Sequence, residues 1–305
     1  MYRQTILLTL AAATTLLPGL EPNRPQVQAT FHQSYSMQAG SKLTVNNLNG
    51  SIEISGWDQN MLDVSATKYA ETQELLAQLK IDVSVASGGV LIRTIPPSES
   101  GNVGVKYVIK VPRRAELTEI RSSNGSIHIN EIEGDANLRT SNGAVHAEKT
   151  HGKLEIATSN GAVEIQNIEG ETDVRTSNGG VRASGIRGPL VAMTSNGGMR
   201  VDLEDSRGGA VRLTTTNGGV DLKLGAAAPS DVNASTSNGS ITVRLPASAG
   251  ARVKAETSRN SRISSDFEVQ KEGENTPSRL EGVVGSGGPQ LHLTTSHGSI
   301  QLVKL

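Results

Sequence analysis

The chain has 305 residues, a formal net charge of −1, and Lys and Arg scattered among Asp and Glu. That balance excludes a protein that holds nucleic acid or an acidic surface through a basic block. Aromatic residues are only 2% and Gly numbers 33, so a single large core with bulky anchors is excluded in favour of a thin core of small branched side chains repeated many times. There is no cysteine, hence no disulfide framework and no thiol for lipid attachment.

In chain order, Arg3 is followed by the apolar stretch Ile6 to Leu17 and then by the triplet Val27, Gln28, Ala29. This reads as an export signal over residues 1–29, because the stretch is shorter than the roughly 20 residues that span a bilayer as a helix. Residues 30–115 read as an N-terminal β region with a cap. They hold an isolated Asn49-Gly50-Ser51-Ile52, and a single tryptophan in Gly56-Trp57-Asp58 expected to close that end of the core. A short helix is predicted over Glu71 to Lys80 from Glu74, Leu75, Leu76 and Leu79. Strands follow at Ile81 to Val85, Val90 to Ile95 and Val103 to Val111.

Residues 116–305 repeat themselves. Asn-Gly pairs begin at Asn124, Asn142, Asn160, Asn178, Asn196, Asn217 and Asn238, most of them inside Thr-Ser-Asn-Gly. The period is 18 residues and then 21, with a degraded copy at Thr257-Ser258-Arg259-Asn260 and a last one at Thr295-Ser296-His297-Gly298. Apolar residues alternate on both sides of each pair, as at Leu154, Ile156, Thr158 and then Val163, Ile165, which is the pattern of half-buried strands. A second turn falls mid-repeat, at Ile132-Glu133-Gly134, Ile168-Glu169-Gly170 and Ile186-Arg187-Gly188.

Two all-β architectures fit. One is a parallel β-solenoid of 18–21-residue coils; the other is an antiparallel meander of Asn-Gly hairpins. A hairpin at Asn178 would set Arg175 against Arg182, which is unfavourable. Stacked coils instead give mixed columns: Arg139, Ala157, Arg175, Met193 on one side, and His146, Glu164, Arg182, Arg200 on the other. The same spacing puts Ile127, Val145, Val163, Val181 and Met199 in one apolar column, and lets the asparagines hydrogen-bond along the axis while the threonines pack as a ladder. Eight or nine coils would make a rod roughly 40 Å long. The step to 21 residues implies wider coils, with extra residues gathering at Gly225 to Pro229, and residues Gln270 to Gly288 read as an excursion near the end.

The run Leu43 to Ala70, LTVNNLNGSIEISGWDQNMLDVSATKYA, with the later phrases VPRRAELTEIRSSNGSI and LRTSNGAV, resembles the bacterial putative-adhesin family of β-strand repeat proteins over roughly residues 40 to 305. The resemblance implies a secreted or envelope-associated domain of unknown function and supplies no catalytic residues.

No nucleophile elbow, nucleotide loop or metal spacing is legible. Gly285-Ser286-Gly287 lacks the context of the first, His292 and His297 merely flank a turn, and Asp202, Glu204 and Asp205 suit a solvated strand face. No cofactor is expected. Trp57, Arg175, Arg182 and Arg200 form a candidate ligand face. The expected function is adhesive, binding or structural, outside the cytoplasm (periplasm, cell surface or beyond). The partner is an envelope protein or glycan, or a second copy by self-association, and not nucleic acid. The alternative is a polysaccharide-acting enzyme on the same scaffold.

Overall fold

The computed structural model describes residues 26–225, 230–258 and 261–305. The apolar stretch Ile6 to Leu17 of the expected export signal, residues 226–229 of the expected wide loop, and Arg259-Asn260 of the degraded copy lie outside the described residues.

The N-terminal third forms β1 (Val27–Ser36), β2 (Lys42–Asn49), β3 (Ile52–Trp57), β4 (Met61–Ala70), α1 (Gln73–Gln78), β5 (Lys80–Ala86), β6 (Gly89–Ile95), β7 (Val103–Pro112), β8 (Glu116–Asn124) and β9 (Ile127–Ile132). The regular middle forms β10 (Ala136–Thr140), β11 (Val145–His151), β12 (Leu154–Thr158), β13 (Val163–Glu169), β14 (Thr172–Arg175), β15 (Val181–Arg187), β16 (Leu190–Met193), β17 (Met199–Asp205), β18 (Val211–Thr214) and β19 (Val220–Leu224). The last part forms β20 (Val232–Asn238), β21 (Ile241–Leu245), β22 (Ala251–Glu256), β23 (Ile263–Ser265), β24 (Val269–Lys271), β25 (Arg279–Val284), β26 (Gln290–His297) and β27 (Ile300–Lys304).

These strands build two facing sheets, and from β7 to β24 the chain passes from one to the other at every turn between strands. Sheet A has 13 strands in the order β1-β4-β7-β3-β9-β11-β13-β15-β17-β19-β21-β27-β23. Sheet B has 14, in the order β24-β25-β22-β26-β20-β18-β16-β14-β12-β10-β8-β2-β6-β5. Coil pairs on coil in parallel, so the architecture is the solenoid and not the meander. The columns read from the sequence are the columns observed: Val145 pairs with Ile127 and Val163, Val181 with Met199, and Ala157 with Arg139 and Arg175.

Each strand of the middle turns alternate residues inward. Ile127, Val145, Val163, Val181, Met199, Val220 and Ile241 from sheet A face Leu138, Ile156, Val174, Ala192, Leu213 and Ala234 from sheet B, all buried. Small branched side chains suffice because the two sheets are joined at every coil, and one thin core runs unbroken from Met37 to Leu302. The step to 21 residues leaves the strands unchanged, since Leu190 still pairs with Val211. The first added residues sit in the turn between β17 and β18, where Arg207 has φ 50° and Gly208 φ 75°.

Stacking order departs from chain order at both ends. At the start, the β6–β7 layer lies outside the β2–β3 layer that precedes it in the chain; at the finish, the β22–β23 layer lies outside the later β26–β27 layer. The rod therefore has more layers among the described residues than the eight or nine expected. Antiparallel strands close the ends: β1 and β4 extend sheet A, β5 extends sheet B at the same end, and β25 and β24 extend sheet B at the other. Helix α1 is shorter than predicted; Thr72 Oγ1 caps it by accepting from the Leu75 N–H at 3.3 Å, and Leu75 and Leu76 are buried.

Candidate functional site

The Asn-Gly corners form one straight edge of the solenoid. Each Asn Nδ2 donates to the Oδ1 of the Asn on the layer before it, at 2.8 Å in every case from Asn124 through Asn142, Asn160, Asn178, Asn196 and Asn217 to Asn238. The first acceptor is Asn49. The copy that looked isolated is thus the start of the ladder, and at the other end His297 stands beside Asn238. An amide suits this place because it donates with one atom and accepts with the other, so identical residues satisfy one another.

The threonines do more than pack. Thr140, Thr158, Thr176, Thr194, Thr215, Thr236 and Thr295 are buried, and each hydroxyl donates at 2.8–3.0 Å to the carbonyl of a corner glycine on the neighbouring layer. The glycines serve close approach rather than a hairpin conformation. A Cβ at Gly161 would stand 1.9 Å from the Gly143 carbonyl oxygen, and one at Gly179 2.0 Å from that of Gly161. Both have ordinary negative φ, which a type I′ hairpin turn forbids.

Just past the corner, on the outer face of sheet A, runs a column of small residues that includes Ala162, Gly180, Gly198, Gly219 and Ser240. It floors an open groove of about 590 Å³ flanked by Glu164, Arg182, Arg200 and Asp221. Arg182 and Arg200 are register neighbours with side chains 65% and 72% exposed. Glu164 lies 4.0 Å from Arg182, and Asp221 lies 3.6 Å from Arg200. Farther along the same column the rings of His128 and His146 stack, with centroids 4.7 Å apart.

Of the candidate ligand face, only Arg182 and Arg200 come together. Arg175 stands on β14 in sheet B, where it pairs with Asp173 at 2.8 Å. The signal was in the motif: Arg175 precedes an Asn-Gly corner and Arg182 follows it, and the corner changes sheets. Trp57 is half-buried at the end of β3, with Nε1 donating to the Met61 carbonyl at 2.8 Å and Lys110 Nζ 5.5 Å from its ring. It is not among the buried side chains of the core, whereas Tyr107 at that end is fully buried. The Tyr107 hydroxyl is 2.8 Å from Thr94 Oγ1, and burial pushes its pKa up to about 12.

The opposite edge is charged. Arg113 bonds Asp58 at 2.7 Å and also Glu131; Lys149 stands 3.6 Å from Glu131; His151 lies 3.3 Å from Glu169, which also takes Arg207; and Arg187 bonds Glu204 at 2.8 Å. Hydrogen bonds donated to Asp58 and Glu131 raise the Arg113 pKa, while Arg113 and Arg207 hold the carboxyls of Glu131 and Glu169 below their ordinary range. The acidic spot is engaged as well: Asp202 holds Lys223 at 2.8 Å, and Asp205 accepts from the Arg207 N–H at 2.8 Å. Among the described residues no group of three or more acidic or histidine side chains has metal-holding geometry, and no helix is long and apolar enough to cross a membrane.

A family model described as Toastrack DUF4097 matches residues 31–231. No curated protein matches the chain. Solved structures similar to it include one described as a putative cell adhesion protein from Clostridium sporogenes, at 15% identity over 90% of this chain and 100% of that one, with a TM-score of 0.25. Two described as putative adhesins come from Bacteroides fragilis (14% identity, 94% and 100% covered, TM-score 0.33) and Parabacteroides merdae (12%, 90% and 96%, TM-score 0.37).

Proposed function

Because the chain belongs to the Toastrack DUF4097 family, we propose that it is an exported, non-catalytic binding module of the cell envelope that takes an extended glycan along the groove of sheet A. One observation carries the reading. A backbone-floored groove runs across several coils of sheet A, and it is edged by two exposed guanidinium groups with a carboxylate beyond each.

The chemistry favours a hydroxyl-rich chain. Guanidinium and carboxylate groups together offer donors and acceptors to successive hydroxyls. The floor of Gly, Ala and Ser lets a polymer approach the backbone but gives no large apolar anchor of the kind on which protein interfaces concentrate their energy. The positive and negative groups balance, so binding should depend only weakly on salt. Export is supported by Arg3 and the apolar stretch Ile6 to Leu17.

The test is binding of the purified chain to isolated envelope glycans, compared with an Arg182→Ala/Arg200→Ala variant. Retention of the parent and at least about tenfold weaker retention of the variant is expected, the equivalent of one good polar contact. Equal retention of the two overturns the groove as the site, and capture of an envelope protein instead overturns the glycan. New reducing ends or unsaturated sugars in the incubation would replace binding by catalysis.

A further inference from the structure

The two sheets end in four terminal strands, and three of them are poor templates for a further strand. β23 and β24 have three residues each, and β5 carries Lys80 and Asp82. The fourth, β1, is different. It has ten residues, VQATFHQSYS, with no Asp, Glu, Lys, Arg or Pro. One side is paired with β4 along its whole length, from Val27 with Ala70 to Ser36 with Met61. The other side has no strand beside it among the described residues. A long edge without charge, proline or bulge offers its backbone N–H and C=O groups to another strand. Val27, Ala29, Phe31 and Tyr35 on its inner face pack against the core yet remain only half-buried.

We propose that β1 is the interface of a symmetric head-to-head dimer, in which β1 of one copy pairs antiparallel with β1 of a second, centred on Phe31. Directly opposed residues in an antiparallel pair point to the same face, so a two-fold axis at Phe31 keeps inner side chains with inner ones. Phe31 then meets its own copy, Val27 meets Tyr35, and Ala29 meets Gln33. On the outer face Thr30 meets His32 and Gln28 meets Ser34. Every opposed pair lacks a like-charged Asp, Glu, Lys or Arg, and the apolar and aromatic pairs are of the stabilising kind. Moving the axis to His32 sets that residue against itself and Phe31 against Gln33, so the pairing selects the first register. The two copies of sheet A become one continuous sheet, with both grooved faces on the same side. The dimer needs β1 intact from Val27, so any leader cleavage falls at or before that residue rather than after Ala29.

The experiment is the mass of the full exported chain in solution, at concentrations up to tens of micromolar, with its N-terminus sequenced. Parent protein is expected at twice the chain mass. A Thr30→Lys/His32→Lys variant places like charges opposite each other across the interface, at positions that face solvent in the monomer, and is expected at the single-chain mass with the parent's β-sheet circular dichroism spectrum. Since the chain has no cysteine, Phe31→Cys gives a second reading that needs no loss of structure. A residue on the axis has its Cα about 4.5–5.5 Å from its copy, within disulfide range. Oxidation should therefore cross-link Phe31→Cys, whereas Val85→Cys on β5, 54% exposed at the same end of the rod, should stay single. A parent at single-chain mass throughout overturns the proposal. So does a dimer that survives the lysine pair and leaves Phe31→Cys uncross-linked.

Discussion

The two edges of the solenoid solve the same stacking problem with opposite chemistry. At the Asn-Gly edge the same residue recurs on layer after layer, because an amide meets its copy with donor to acceptor. At the other edge the charged side chains do not repeat, since like charges opposite each other are unfavourable, although the turn glycines there stack as closely, a Cβ at Gly170 standing 2.1 Å from the Gly152 carbonyl oxygen. There the register column runs His151, Glu169, Arg187, Asp205, and the backbone takes left-handed φ at Glu131, Lys149 and Asn167, of 57°, 49° and 54°. Both edges are thus closely approached at their glycines, but the side chains of one are neutral and uniform and those of the other are charged and varied. Stability should depend on the first at any pH or salt, and on the second only where its charges persist.

The sharpest way to break this contrast is at the close approach. Gly161→Ala puts a methyl group 1.9 Å from the Gly143 carbonyl oxygen, and the contacted atom is backbone, so two layers must separate. A loss of about 3 kcal/mol or more is expected, measured by denaturant unfolding. Gly208→Ala, where nothing lies within 4 Å of the new Cβ, bears only the cost of its left-handed φ, about 1 kcal/mol. If the two variants lose the same stability, close approach is not what the corner glycines provide.

Next in size is the hydroxyl ladder. Thr176→Val keeps the shape of the side chain and removes the donor to the Gly161 carbonyl at 2.9 Å, leaving a methyl group against that oxygen. About 1–2 kcal/mol should be lost, and Thr176→Ser should keep most of it. A valine variant as stable as the parent would reduce this ladder to simple packing.

The asparagine ladder comes third. Asn160→Ala removes two side-chain bonds, to Asn142 and from Asn178, whereas Asn49→Ala at the ladder's start removes one from Asn124 and one to the Val103 carbonyl. The asparagines face solvent, so about 1 kcal/mol is expected for Asn160→Ala. The loss should be the same at low and neutral pH and in high salt, because no ionised group takes part. A loss that fades with salt would contradict the distinction between the edges.

The contrast also explains what could be read from the amino-acid order. The uniform edge announces itself as a repeated phrase, and with it come the 18-residue period, the alternating strands and the apolar column from Ile127 to Met199. The exchanged layers at the ends were harder to see, because Asn49 and Asn124 stack across 75 residues. A signal for them existed. Asn49-Gly50-Ser51-Ile52 and Asn124-Gly125-Ser126-Ile127 are identical, as are Asn238-Gly239-Ser240-Ile241 and His297-Gly298-Ser299-Ile300 apart from the first residue. The layers that carry these matching phrases are neighbours. The charged edge left only the Ile-x-Gly of its turn, as at Ile168-Glu169-Gly170 and Ile186-Arg187-Gly188, because alternating signs need only complementary partners, not recurring ones. The groove was half legible: Arg182 and Arg200 share a column at the repeat spacing, but its floor is made by what the side chains of Gly180, Gly198 and Gly219 lack.

The smallest effect tests the charged edge itself. Glu131 and Glu169 have carboxyls held below the ordinary range by their hydrogen-bonded arginines, Arg113 and Arg207. A group whose pKa is lower in the folded chain than in the unfolded one adds stability above the ordinary carboxylate range, and that stability is lost as pH falls through the folded value. The parent should therefore weaken in acid, starting near pH 4 and below. Glu131→Gln keeps the side chain's shape and removes this titration, so its stability should fall less steeply over the same interval and should respond less to added salt. Because these groups are half-buried at the surface and partly screened, the difference at neutral pH should be slight. Unfolding midpoints measured across the acid range decide it: parallel curves for parent and variant would mean that the ion pairs of this edge do not contribute to holding the layers together, and that the neutral edge and the core do so alone.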